Sequence, residues 1–151
     1  MSYVGLFVIV LIIFITIVAS ILFTVALDNL ARLPNPTDST SRTILDNVIS
    51  IGTWVILFLI FLLALELTIA VLIYYGIRRG ESIAFAYYSS IALFIATIGL
   101  LLLEYHSYNE VNLFRRQIDD TIIDSTINMM FWGIILTVGI LILSFILIFL
   151  I

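Results

Sequence analysis

Residues 54–75, WVILFLIFLLALELTIAVLIYY, form an apolar stretch that can cross a lipid bilayer and that contains one charged side chain, Glu66. The hydrocarbon core of a bilayer is about 30 Å thick, so a spanning helix needs about 20 residues. Three further apolar runs reach this length. The four predicted spans cover residues 4–27, 50–75, 82–103 and 128–151. We therefore expect one all-α domain, an integral membrane four-helix bundle.

Composition excludes most soluble functions. Hydrophobic residues make up 64% of the 151 residues, against about 45–50% in soluble domains. The net charge of −4 offers no basic face for nucleic acid, and the absence of cysteine excludes disulfides and thiolate metal sites. His106 is the single histidine and, with Glu104 and Glu110, fits no metal-binding motif. No catalytic motif occurs, so we expect no enzyme activity and no metal or cofactor.

Two polar loops, residues 28–49 and 104–127, separate the spans, together with a short link at 76–81. With four spans, both polar loops lie on one side of the membrane, and the link lies on the other side with both chain ends. Tyrosine and tryptophan prefer the headgroup level, and their positions agree with these boundaries. Tyr3, Tyr74, Tyr75, Tyr87 and Tyr88 fall near the link side, and Trp54, Tyr105, Tyr108 and Trp132 fall near the loop side.

Charge near the span ends predicts the orientation. Arg78 and Arg79 directly follow the second span, and the link is net positive, whereas both polar loops are net negative. Cytoplasmic loops carry an excess of arginine and lysine near the ends of spans. The prediction is that both chain ends face the cytoplasm, with the membrane itself unspecified.

Glu66 lies near the predicted midplane, where an ionisable side chain costs about 2.5–3.5 kcal/mol on insertion scales. No arginine or lysine occurs in any span, and desolvation without a counter-charge disfavours the ionised form. We therefore expect a protonated, hydrogen-bonded acid. Counting depth from the span ends places three hydroxyls near it, in an intramembrane polar layer: Thr16, Thr97 and Thr137. Three roles stay open for Glu66, namely a hydrogen bond within the bundle, a contact with another subunit, and a proton or ion path.

The polar loops themselves contain helical patterns. A turn is predicted at 33–39, and Thr43 with Asp46 resembles a helix start, so the second helix is predicted to begin before the membrane. In the last loop, Arg115 and Asp119 are spaced as an i,i+4 pair, as are Arg116 and Asp120. Two interpretations fit this segment. It is an amphipathic helix that lies on the membrane interface or against a partner protein, or it is a simple helical extension that packs on the neighbouring helix.

These observations favour a structural or accessory membrane subunit that anchors or spaces parts of a larger assembly. Both a multisubunit membrane complex and the inner membrane of a virion fit this description. The expected partners are the bilayer and other subunits, which bind through the polar loops. The candidate contact residues are Arg32, Arg42, Arg115, Arg116, Asp119 and Asp120. The alternative is a small proton or ion channel or transporter, of the viroporin kind, that uses Glu66.

Overall fold

The computed structural model describes residues 3–33, 39–79, 84–117 and 121–151, with the backbone alone for Arg116 and Gln117. These residues form four helices: α1 (Tyr3–Ala31), α2 (Ser39–Arg79), α3 (Ala84–Gln117) and α4 (Thr121–Leu150). Every one of the four contains a segment long and apolar enough to cross a bilayer, and no strand occurs in the described ranges. The predicted fold class, a membrane four-helix bundle, is confirmed.

The helices are arranged as a square in which neighbours in the chain are neighbours in space. α1 packs against α2 and α4, and α3 also packs against α2 and α4, with no diagonal contact across the square among the described residues. Adjacent helices are antiparallel, as the pairing of Asn29 with Met129 and of Phe94 with Phe145 indicates. A single central core therefore runs along the whole bundle.

Buried positions along each helix alternate by three and four residues. On α3 the buried residues are Ala86, Ser90, Leu93, Thr97, Leu100, Glu104, Ser107, Val111 and Phe114. A repeat of 3.5 residues keeps one seam of a helix facing its neighbours when the helices supercoil to the left, as most membrane bundles do. The remaining faces are also apolar, as for Phe7, Ile60 and Phe145, because they face lipid.

Two glycines allow neighbouring side chains to approach the backbone closely. A Cβ atom placed on Gly133 of α4 would lie 2.5 Å from Cε2 of Phe23 on α1. A Cβ atom on Gly52 of α2 would lie 2.8 Å from Cδ1 of Leu27. The Phe23 ring therefore occupies space that only a glycine leaves on the facing helix, which is how small residues bring membrane helices together.

The bundle is longer than the bilayer is thick. Trp54 and Tyr75 on α2 are exposed and lie 21 residues apart, a rise of about 31 Å, which matches the hydrocarbon core. On the loop side, α2 extends past Trp54 by about 22 Å, back to Ser39. α3 and α4 also continue there. We call residues 39–53, 106–117 and 121–131 the head. Most of each predicted polar loop is thus helical.

Candidate functional site

The buried acid expected from the sequence pairs with a threonine of the neighbouring helix. Glu66 is fully buried on α2. Its Oε1 atom lies 2.6 Å from Oγ1 of Thr16 on α1. The same Oγ1 atom lies 3.0 Å from the carbonyl oxygen of Ile12, one helical turn earlier. The second carboxyl oxygen, Oε2, has no hydrogen-bond partner among the described residues.

A second acid repeats this arrangement between α3 and α4. Glu104 is fully buried, and its Oε1 atom lies 2.9 Å from Oγ1 of Thr137. That hydroxyl also lies 3.0 Å from the carbonyl oxygen of Gly133, and Oε2 of Glu104 again has no partner within the described ranges. Two acid–threonine pairs are therefore present, one on each half of the bundle.

The number of hydrogens available at each acid–threonine pair favours the neutral, protonated form of the acid. A threonine hydroxyl carries one hydrogen and can donate to the carboxyl oxygen or to the carbonyl, not to both at once. If the acid is protonated, its O–H donates to the hydroxyl and the hydroxyl donates to the carbonyl, which accounts for both short distances. An ionised carboxylate at either position would be buried without a cation, which costs several kcal/mol. We therefore expect Glu66 and Glu104 to be neutral carboxylic acids that donate to Thr16 and Thr137.

Sequence reasoning placed Glu104 in a polar loop and missed its burial. The signal that identifies it is the heptad pattern, because Glu104 follows Thr97 by seven residues and precedes Val111 by seven. All three positions are buried on the same seam of α3. Its depth in the membrane does not predict this burial, because Glu104 directly precedes Tyr105, which lies at the loop-side headgroup level.

The expected polar layer is divided between two helix pairs, α1 with α2 and α3 with α4. Thr16 contacts Glu66 as expected, but Thr137 pairs with Glu104. Thr97 is buried and donates to the carbonyl oxygen of its own helix at Leu93, over 2.7 Å. Depth counting from span ends does not say which helices are neighbours. Thr137 lies on α4, which packs against α3 and α1 and not against α2 in the described ranges, so its hydroxyl meets Glu104 of α3.

The spacing of the two acids follows from the register of α2 and α3. Gly52 of α2 and Ser107 of α3 line the same small cavity. Glu66 lies fourteen residues beyond Gly52, and Glu104 lies three residues beyond Ser107 in the same axial direction, because the helices are antiparallel. At 1.5 Å per residue, the Cα atoms of the two acids are about 16 Å apart along the bundle axis.

The cavity at Ser107 has a volume of about 10 Å³, which is close to the smallest that holds a water molecule. Oγ of Ser107 and Oε2 of Glu104 are both buried without a partner in the described part of the chain. They lie one turn apart on the same seam of α3. Two polar side-chain atoms at this level of the core therefore lack a hydrogen-bond partner from the described residues.

Three of the candidate contact residues, Arg32, Arg42 and Arg115, lie on the surface at the loop side. Arg32 pairs with Asp28 over 3.1 Å within the same turn, and Arg115 pairs with Asp124 over 2.8 Å, which joins α3 to α4 in the head. Arg42 is exposed on α2. The Arg116 side chain, Asp119 and Asp120 lie outside the described residues, and so do the i,i+4 pairs expected of Asp119 and Asp120. In the described ranges no group of three or more histidine, cysteine or acidic side chains is placed to hold a metal ion.

The arrangement can hold two protons in an apolar core and can present a polar helical surface outside the membrane. Comparison of the chain with protein-family models, with curated proteins and with solved structures gives no match.

Proposed function

We propose that this protein is a structural or accessory membrane subunit that presents its head to other subunits on one side of the membrane. The observation that carries the proposal is the continuity of the core from the membrane into the head. Leu45 and Val48 on α2, Phe114 on α3 and Ile123 on α4 are buried there and extend the same 3–4 pattern. A head packed in this way is fixed rigidly to the membrane segments, as anchoring or spacing requires.

The surface of the head suits a protein partner. Exposed polar side chains such as Asp46 and Asn109 lie on the same head as the Arg115–Asp124 ion pair. Leu113 is also exposed on α3. Apolar contacts within a polar surround are typical of protein interfaces. By the positive-inside rule, Arg78 and Arg79 at the opposite end favour a cytoplasmic link, with the head on the other side of the membrane. A multisubunit membrane complex and a virion inner membrane both provide such a setting.

The test uses a photo-crosslinking residue introduced at one position at a time, followed by purification in mild detergent. Probes at Asp46 and Leu113 are expected to crosslink to another subunit, whereas a probe at Arg79 on the link side is not. Asp46→Lys and Leu113→Ser are expected to release that subunit while the helical circular dichroism stays unchanged. Crosslinks from Arg79 alone, or full retention of the subunit by both head variants, would contradict the proposal.

A second candidate function, proton translocation, is favoured by the repeated acid–threonine arrangement. The Cα atoms of Glu66 and Glu104 lie at two levels of one core, about 16 Å apart along its axis. The hydroxyls of Thr97 and Ser144 are also buried in this core. Ionisable groups inside a membrane often mark proton paths. We rank this function second because the side chains between the two levels include fully buried apolar ones such as Leu62, so conduction requires water to enter a packed core.

Reconstitution in liposomes tests the second candidate. If the acids carry protons, Glu66→Gln and Glu104→Gln each abolish pH-driven proton flux, whereas Glu110→Gln, the same change on the head, leaves it intact. Flux no higher than in protein-free liposomes removes this candidate, and so does flux that survives both core substitutions.

A further inference from the structure

A cleft lies at the link side of the bundle, at the end opposite the head. It has a volume of about 330 Å³ and is lined by Tyr3 and Leu6 of α1 and by Tyr74, Ile77 and Arg78 of α2. This volume lies within the range of small-molecule sites, about 300–1,000 Å³. The lining combines a guanidinium and two phenol hydroxyls with two aliphatic side chains, so a fitting ligand has both an anionic and an apolar part.

Arg78 supplies a positive charge to this link-side cleft. Its Nη1 atom lies 3.4 Å from the hydroxyl oxygen of Tyr74. Arg32 and Arg115 are neutralised by Asp28 and Asp124, but the described ranges place no carboxylate within ion-pair distance of Arg78. Guanidinium groups bind phosphate oxygens through paired N–H donors. The neighbouring residue, Arg79, stacks over the Tyr75 ring at 5.3 Å and does not line the cleft.

The level of the cleft in the membrane identifies the kind of ligand. Tyr75 marks the link-side end of the hydrocarbon core, and Arg78 lies one turn beyond it on α2. Phosphate groups of lipids lie at this level, with acyl chains directly below. Basic pockets between membrane helices bind anionic lipid headgroups. We propose that the link-side cleft binds an anionic phospholipid, with its phosphate on Arg78 and the start of its acyl chains against Leu6 and Ile77.

The experiment compares two adjacent arginines that differ in their relation to the cleft. Detergent-solubilised protein is titrated with phosphatidylglycerol or phosphatidylcholine, and bound lipid is counted by native mass spectrometry. Arg78→Gln is expected to weaken phosphatidylglycerol binding about tenfold, as the loss of one charge-assisted hydrogen bond predicts. Arg79→Gln makes the same charge change outside the cleft and is expected to leave the binding nearly unchanged. Phosphatidylcholine is expected to bind more weakly to the unmodified protein.

Two further arms separate a lipid from free phosphate. Ile77→Trp fills the apolar part of the cleft without changing its charge, and is expected to abolish lipid binding while the helical circular dichroism is retained. Inorganic phosphate is expected not to displace the lipid. Equal losses in the two arginine variants, equal binding of both lipids, displacement by inorganic phosphate, or unchanged binding after Ile77→Trp would each overturn the proposal.

Discussion

Replacing single threonines by valine tests whether the buried acids depend on their hydroxyl partners. Thr16→Val and Thr137→Val each remove the acceptor of an acid proton and keep the shape of the side chain. Thr97→Val provides a matched control. Thr97 is buried to the same degree, but among the described residues its hydroxyl bonds only to the carbonyl oxygen of Leu93.

The magnitude follows from what each substitution leaves without a partner. Loss of the Thr16 hydroxyl leaves the O–H group of Glu66 without a hydrogen-bond acceptor in an apolar core. An unsatisfied buried donor costs about 1–3 kcal/mol. In double-mutant cycles, side-chain hydrogen bonds between membrane helices contribute about 0.6 kcal/mol on average and about 1.7 kcal/mol at most. We expect Thr16→Val and Thr137→Val to lower the free energy of unfolding by about 1–2 kcal/mol. Thr97→Val is expected to change it by less than about 0.5 kcal/mol, because the Leu93 carbonyl keeps its backbone hydrogen bond.

The assay is equilibrium unfolding in mixed micelles, with helical circular dichroism as the signal. A double-mutant cycle of Thr16→Val with Glu66→Leu isolates the coupling of the pair, expected at about 0.6–1.7 kcal/mol. Glu66→Gln supplies an amide that can donate to the same hydroxyl and is expected to be tolerated within about 1 kcal/mol.

Three results would refute this account of the acids. The first is that Thr97→Val costs as much as Thr16→Val, which would mean that any buried hydroxyl matters equally. The second is a coupling energy near zero in the cycle. The third is strong stabilisation by Glu66→Gln, of several kcal/mol, which is expected if the native side chain is ionised and the substitution removes a buried charge.

The remaining predictions concern packing and surface charge and use the same unfolding assay. Gly133→Ala is expected to be about 1–3 kcal/mol less stable than Gly139→Ala, because the added methyl group overlaps the Phe23 ring, whereas nothing lies within 4 Å at Gly139. Equal stability of the two alanine variants would contradict the close approach of α1 and α4. Arg115→Ala is expected to cost at most about 1 kcal/mol, because its ion pair with Asp124 is half exposed, and a larger loss would indicate that this pair holds the head together.

Much of the architecture can be predicted from residue types and spacing. Apolar runs of spanning length identify all four helices, and aromatic residues such as Trp54 and Tyr75 mark the membrane boundaries. The spacing of Thr43 and Asp46 predicts that α2 begins before the membrane, which it does. The helix begins at Ser39, however, four residues before the expected start, and the Thr43 hydroxyl donates to the carbonyl oxygen of Ser39 inside it. The sequence also predicts that Glu66 has a hydrogen-bond partner, because a carboxyl group at this depth requires one, but it leaves that partner open.

Only the tertiary structure decides which partners meet. Lipid is as apolar as the core of the bundle, so the spans are hydrophobic on every face, and hydropathy does not distinguish inward from outward positions. The order in which the helices pack then assigns Thr16 to Glu66 and Thr137 to Glu104, because among the described residues α4 packs against α1 and α3 and not against α2, although depth counting groups both threonines with Glu66. Glu104 is buried because the core continues into the head, where neighbouring helices exclude water. The sequence of this segment predicts a polar loop instead.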